Sequence, residues 1–331
     1  MKKTNVLLLL SSAFFLLSCG GNQDKTIVPE GESVSVETAK AKYQAAASAM
    51  EQEKKGYSVK VDGARFDLLF SAKAVSPLQE SGDPITVYDL SAHASISDFA
   101  FSAALAEKEG GKIGAHVKTS FGSDIGTEIK SDLSGVEQNA SSYKGNVSAS
   151  VYLQDDALYI DATSLSKLFE GLNSSETAFA KKTKIALDPG DAAMPEISWG
   201  ELPAEIEKLC KENATSILSK DGTYSFVYRL DFPTLISSIV GGGDAFGPIA
   251  SALQFGKDSY AEACLSFNEA GLTRFALGYS VSASFSASDS TGFLMEGSFS
   301  SSANLVAEFA FGVDNVESVP DPDSYVLASS Y

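Results

Sequence analysis

Few residues of this chain have side chains that commonly do chemistry. The two histidines, His93 and His116, fall inside segments with the alternation of β-strands, and no paired serine or cysteine signature accompanies them. The patterns Gly-X-Ser-X-Gly, His-Glu-X-X-His and Cys-X-X-Cys, which mark hydrolases, zinc enzymes and redox proteins, are absent from the sequence. The sequence therefore predicts no catalytic residues, a protein that is not an enzyme, and histidines that are hydrogen-bonded or face solvent.

Two further features could bind an ion or a phosphate. Acidic residues cluster at Asp155-Asp156 and between Asp314 and Asp323, but neither cluster has the alternating acidic loop with a central glycine that binds calcium. The run Gly241-Gly242-Gly243-Asp244 lacks the Gly-Lys-Ser/Thr ending of a phosphate-binding loop. Solvent-exposed turns and a helix break are simpler interpretations, so the sequence predicts neither a metal site nor a cofactor.

The N-terminal segment carries the most specific signal. Lys2 and Lys3 precede an apolar run, Val6 to Leu17, which ends at Leu16-Leu17-Ser18-Cys19. The run is shorter than the roughly 20 residues that cross a bilayer as a helix, and its order is that of a secretory signal. It resembles the lipobox of bacterial lipoproteins. The alternative is an ordinary secretory signal with a chance cysteine.

The lipobox resemblance implies cleavage before Cys19 and a diacylglyceryl group on its thiol. Residues 1–18 would then be a signal peptide, and two or more acyl chains would hold the protein stably at a membrane. The expected location is the bacterial cell envelope, on the extracytoplasmic side of a membrane.

Net charge limits the classes of partner. The formal charge is −18, and it becomes about −20 once Lys2 and Lys3 are removed. Nucleic-acid binders need a basic face, and the sequence has no Lys/Arg cluster to supply one. We therefore expect no nucleic-acid partner and membrane contact through the acyl anchor alone. The sequence identifies no protein partner.

The remaining cysteines, Cys210 and Cys264, allow two interpretations. An extracytoplasmic compartment would permit a disulfide between them. The alternative, which we favour, is two buried thiols that behave as small hydrophobic residues.

Periodicity divides the mature chain into elements. Residues 19–34 read as a flexible tether, because they are rich in glycine and polar residues. Apolar residues at helical spacing predict a helix over 35–55. Alternating residues then predict strands over 57–72, 85–106, 112–130 and 143–160, the last with a turn at Asp155-Asp156. We also predict helices over 164–172, 202–218 and 233–255, and strands from Tyr224, over 275–286 and over 293–311.

Two consecutive strands near the C-terminus have one apolar face and one face of small polar residues. Such an apolar face is either plain core, which we favour, or the lining of a cavity for a lipid-like ligand. The candidate lining residues are Phe275, Leu277, Tyr279, Phe293 and Phe299 of these two strands, together with Tyr224, Phe226 and Tyr228 of the strand predicted from Tyr224.

An acylated cysteine, an N-terminal helix and a long antiparallel meander together resemble the bacterial lipoprotein-carrier superfamily. The resemblance implies a curved half-barrel sheet packed on about three helices, an α+β fold. We expect residues 35–331 to form a single domain, whose possible halves are 35–165 and 222–313, joined by a helical and loop segment. It also implies a cavity between sheet and helices that holds a hydrophobic or amphipathic ligand. The alternative is a structural or surface-interaction lipoprotein whose core is filled.

Overall fold

The structure is a computed structural model. It describes residues 27–52, 56–76, 85–133, 138–171, 181–188, 197–210, 212–231, 254–288 and 292–328.

The alternating segments form one large open sheet. Its fourteen strands follow the order β1-β8-β9-β11-β12-β13-β2-β3-β4-β5-β6-β7-β14, with β10 paired to β12. All the strand pairs are antiparallel except β7 with β14. The strands are β1 Glu32–Val34, β2 Gly56–Ser76, β3 Ile85–Glu107, β4 Ile113–Lys130, β5 Asn139–Gln154, β6 Ala157–Asp161, β7 Thr183–Ala186, β8 Thr215–Leu218, β9 Tyr224–Arg229, β10 Gln254–Phe255, β11 Tyr260–Asn268, β12 Gly271–Ser288, β13 Leu294–Phe311 and β14 Val326–Leu327.

Three α-helices occur in the described residues: α1 Val36–Gln52, α2 Thr163–Gly171 and α3 Leu202–Glu207. Helix α1 begins after Ser35, whose Oγ accepts a hydrogen bond from the Thr38 N–H at 3.1 Å, as an N-cap residue does. Its apolar stripe, including Tyr43 and Met50, is buried against the sheet. None of the described helices is long and apolar enough to cross a membrane.

The sheet has two chemically different faces. We call the face that packs on helix α1 the inner face; Leu277 and Leu305, which pair directly, both lie on it. Cys264, Ala276 and Val306 alternate with those residues and cluster on the opposite, outer face. Because directly paired residues point to the same side, strand register assigns the other side chains to a face.

The predicted antiparallel sheet is confirmed as one large open sheet, with a single parallel pair at its edge. The two aspartates of the predicted turn, Asp155 and Asp156, have φ angles of 52° and 58° and join β5 to β6. The α+β class fits only loosely, because strands make up most of the described residues and only α1 is long.

The helix predicted over 202–218 is wrong in its second half. Helix α3 ends at Glu207, and Thr215–Leu218 forms strand β8 between β1 and β9. The Ser216 hydroxyl is buried there and donates to the Val34 carbonyl at 2.8 Å. If Thr215–Leu218 formed a helix, β1 and β9 would lose the backbone hydrogen bonds that β8 makes with both of them. Most of the helix predicted over 233–255 lies outside the described residues, while Gln254–Phe255 is a strand.

The tether predicted over 19–34 does not extend to residue 34. Strand β1 pairs with β8, and Ile27 packs on the outer face beside Cys264. Gly31 allows this approach, because a Cβ there would clash with a methyl carbon of Ile217. Residues 27–34 are therefore held against the sheet.

Candidate functional site

The inner face beneath helix α1 is a filled core, and most of the predicted lining residues lie in it. Phe226 and Tyr228 are fully buried, and Phe275 and Leu277 nearly so. Tyr43 of helix α1 fills the space above them. Its ring packs edge-on against Phe267 and Phe226, with centroids 5.0 and 6.0 Å away. We call this region the near inner face.

The other predicted lining residues lie at different places. Tyr224 and Tyr279 are partly buried and pack against the same core. Phe299 lies on the inner face farther from helix α1, opposite Ala283 and Phe70. Phe293 is half-buried and immediately precedes β13.

The apolar surface continues along the inner face past the core. Strand register pairs Phe299 directly with Phe70. It also pairs Leu90 directly with Ile129. Leu68 and Ile125 lie on either side of Ala94, with which both are paired. These side chains are half-buried, and none belongs to the core cluster beneath helix α1. We call this region the distal inner face, and define it by Leu68, Phe70, Leu90, Ile125, Ile129 and Phe299. The sequence signal for it is the run Phe66, Leu68, Phe70, an alternation of the same kind as in β12.

The outer face carries an open groove of about 640 Å³. Short hydroxyl side chains from four neighbouring strands line it, and we call it the serine groove: Ser71, Ser91, Ser282, Ser284, Ser298 and Ser300. His93 and Leu69 also line it, and Leu69 is 60% exposed. The groove can offer hydrogen bonds from its serines and one small apolar contact.

A second outer-face groove, of about 380 Å³, lies over β2 to β5. Lys60, Lys118, Ser150 and Asp161 line it. Lys118 forms an ion pair with Glu317 of the C-terminal segment, and Asp161 forms one with Lys182. We call it the lysine groove.

The two histidines have opposite environments. His93 is exposed, and its Nε2 lies 3.3 Å from a carboxylate oxygen of Asp124. His116 is only 7% exposed, and its Nδ1 accepts the N–H of Glu317 at 3.2 Å. Burial lowers the pKa of His116 below its usual value; the charge of Glu317 opposes this shift, and the charge of Lys118 adds to it. The prediction that each histidine is hydrogen-bonded or faces solvent is confirmed.

No disulfide joins Cys210 and Cys264, because both are free thiols. Cys264 lies in the outer-face cluster, whereas Cys210 packs against the core on the inner face. The sheet therefore separates them. Burial raises the pKa of Cys264 and raises that of Cys210 to about 11. Neither thiol has the thiolate character that makes a cysteine reactive.

Metal ligands are not grouped in the described part of the chain: no set of three His, Cys, Asp or Glu side chains there could hold an ion. The packing of the C-terminal segment on the outer face was not predicted from the sequence. Val319 and Tyr325, apolar residues within an acidic stretch, were the available signal.

Comparisons with known proteins add little. No protein-family model and no curated protein matches the chain. Among solved structures, a β-barrel-like protein of a domain of unknown function from Brucella abortus is 11% identical, covering 75% of this chain and 98% of its own, with a TM-score of 0.15. OpdK from Pseudomonas aeruginosa, solved with vanillate, is 7% identical, covering 79% and 99%, with a TM-score of 0.10. TM-scores this low carry no argument about fold or function.

Proposed function

We propose that this protein is a membrane-anchored extracytoplasmic lipoprotein that binds a hydrophobic or amphipathic ligand on the distal inner face. The observation that carries the proposal is the contrast within one apolar face. Helix α1 fills the near part, whereas Leu68, Phe70 and Phe299 stay half-buried in the far part. Contiguous apolar surface of this kind commonly marks a binding site in a soluble protein.

The ligand is held by the area that it covers. Burial of apolar surface contributes about 25 cal/mol per Å². The paired rows of the distal inner face run across β13, β2, β3 and β4 and present adjacent aliphatic and aromatic side chains. An extended apolar group lying across these rows would contact several of them at once, without requiring a specific polar partner.

The position of Ile27, the first described residue, is compatible with an acyl anchor at Cys19. Ile27 lies on the outer face, where its carbonyl accepts a hydrogen bond from Arg274 at 2.9 Å. Ile27 is the eighth residue after Cys19. Since an extended chain spans at most about 3.5 Å per residue, an acyl group on Cys19 would lie within about 28 Å of this part of the sheet. An anchor at Cys19 would therefore hold this part of the outer face within reach of the bilayer.

A second candidate is a structural or surface-interaction lipoprotein without a small ligand. The complete filling of the near inner face favours it, because Phe226, Tyr228 and Tyr43 leave that region fully packed. In this alternative the serine groove is the contact surface, and the distal inner face is a loosely packed part of the core.

The test is lipid retention by the protein purified in mild detergent, read by native mass spectrometry followed by lipid extraction. The binding proposal expects a stoichiometric lipid. It also expects Phe70→Ser to lose that lipid and Leu69→Ser to keep it, because these neighbours face opposite sides of β2. A clean mass for the wild type, unchanged after incubation with phosphatidylethanolamine–phosphatidylglycerol vesicles, would favour the structural alternative. Equal loss in both variants would contradict the assigned face.

The anchor is tested separately with Cys19→Ala. A lipid-anchored protein should be released into the aqueous fraction by this change, whereas unchanged partitioning into detergent would contradict acylation.

A further inference from the structure

The C-terminal segment, residues 313–328, crosses the outer face after β13 ends. The Glu317 N–H is donated to His116 on β4, and the Val319 N–H is donated to Gln154 Oε1 on β5 at 3.1 Å. The segment ends as β14, beside β7. We call residues 313–328 the strap.

Apolar contacts hold the strap at its centre. Val319 and Tyr325 are buried in a cluster with Tyr152, Ala157 and Tyr159 of strands β5 and β6. The rings of Tyr159 and Tyr325 meet edge to face, with centroids 5.3 Å apart. This cluster is separate from the core beneath helix α1, so the strap can change its position without unpacking that core.

The contact with His116 depends on protonation. An imidazole nitrogen that accepts a hydrogen bond carries no proton, so the Nδ1 contact with Glu317 requires the neutral ring with its proton on Nε2. A protonated ring would present a second N–H to the N–H of Glu317. The buried ring would also carry a charge in a place that gives it little access to water.

We propose that the strap is a pH-sensitive latch, which opens more readily from the outer face when His116 takes up a proton. Opening exposes the aromatic surface of Tyr152 and Tyr159 and separates Glu317 from Lys118, which lines the lysine groove. The latch therefore couples the pH of the surroundings to the charge that Lys118 presents to that groove.

The charged groups around His116 set the pH range. The Glu317 carboxylate lies 3.9 Å from Nε2 and favours the protonated ring, while Lys118 on the same strand opposes it. Tyr152 is directly opposite on β5, and Ala104 is opposite on β3. The pKa of Glu317 is lowered, chiefly by its hydrogen bond with Lys118, so this carboxylate stays ionised wherever histidine titrates.

The direction in which pH changes the stability of the closed strap follows from proton linkage. The closed strap holds His116 with a pKa below 6.5, whereas an open strap restores a value near 6.5. Closure is therefore at full strength above about pH 6.5 and weakens as the pH falls below that value, until the lowered pKa of the closed state is reached. One coupled proton can raise the population of the open strap by up to about tenfold per pH unit.

The experiment is hydrogen–deuterium exchange of peptides from the strap at about pH 7.5 and about pH 5.5, normalised to the intrinsic exchange rate at each pH. The full-length protein in detergent is used. We expect protection of the strap to fall up to about tenfold at the lower pH, while the core strand β11 is unaffected. Constant normalised protection of the strap would overturn the proposal.

Variants identify the titrating group. His116→Gln cannot gain a charge, so its strap protection should be independent of pH over this range. His93→Gln is the matched control and should keep the wild-type response, because His93 is exposed and does not contact the strap. A pH response retained by His116→Gln, or lost in His93→Gln, would overturn the assignment.

If His116→Gln does not fold, a second measurement tests whether the titration of His116 opens the strap. His93→Gln leaves His116 as the only histidine of the protein, so its ring signals can be followed by NMR without ambiguity. The latch predicts a midpoint below 6.5 and strap opening over the same pH interval. A ring that titrates without any change in strap protection would contradict the latch.

Discussion

The near and distal parts of the inner face differ in packing although their sequences follow one rule. Each alternates apolar and small or polar residues along long strands. In the near part, Tyr43 of helix α1 supplies a third layer, and Phe226 is fully buried. In the distal part, Phe70 and Phe299 remain half-buried. Alternation therefore fixes which side of a strand is apolar, and the helix position decides where that side becomes solid core.

The sharpest test of this contrast is truncation of one phenylalanine in each part. Phe226→Ala should lower the free energy of unfolding by about 3 to 5 kcal/mol, because it leaves a cavity in a closed core. Phe70→Ala should cost less than half of that, about 1 to 2 kcal/mol, because its ring is only partly removed from water. Chemical denaturation measures both. Equal losses would mean that the distal face is packed as tightly as the near face.

Enlarging one alanine in each part is the next test. Ala263 is 1% exposed beneath helix α1, and Ala263→Phe should cost about 1 to 3 kcal/mol by overpacking. Ala92 is only half-buried opposite Phe70, so Ala92→Phe should change stability by no more than about 0.5 kcal/mol. Thermal unfolding compares the pair. A large loss from Ala92→Phe would contradict an accessible distal face.

The smallest expected effect on stability comes from removing one tyrosine hydroxyl in each part of the inner face. Tyr43 donates to the Trp199 carbonyl at 2.9 Å from a buried position, and Tyr43→Phe should cost about 1 kcal/mol. Tyr143 makes only a 3.5 Å contact with the Asn146 carbonyl at an exposed site, and Tyr143→Phe should have no measurable effect. Denaturant midpoints distinguish these outcomes. A neutral Tyr43→Phe would show that the aromatic cluster alone holds helix α1.

Sequence reasoning was most successful where a structure depends on neighbours along the chain. Helix α1 was expected over 35–55 and spans Val36–Gln52. The long strands end within a few residues of their expected limits except at β2, β5 and β12, which extend farther. The turn at Asp155-Asp156 was also expected. Helical and strand periodicity are properties of short segments, so they can be read without the fold.

Sequence reasoning found the apolar face but not which part of it is filled. Six of the eight predicted lining residues lie in or against the near core, while Phe70 and Leu68, on an equally alternating strand, were not chosen. A strand shows which residues share a side. The sequence of a strand does not show which of these residues a helix will cover.

By itself the sequence determined the apolar and polar sides of the long strands, the first helix and the acidic charge, and it predicts a lipobox at Cys19. Tertiary structure decided the rest. Thr215–Leu218 became a strand because β1 and β9 lie on either side of it, Ile27 was drawn onto the outer face, and Glu317 met His116 although 201 residues separate them in sequence. These outcomes depend on contacts between distant segments, whose energies exceed local preference only once the sheet has brought the segments together.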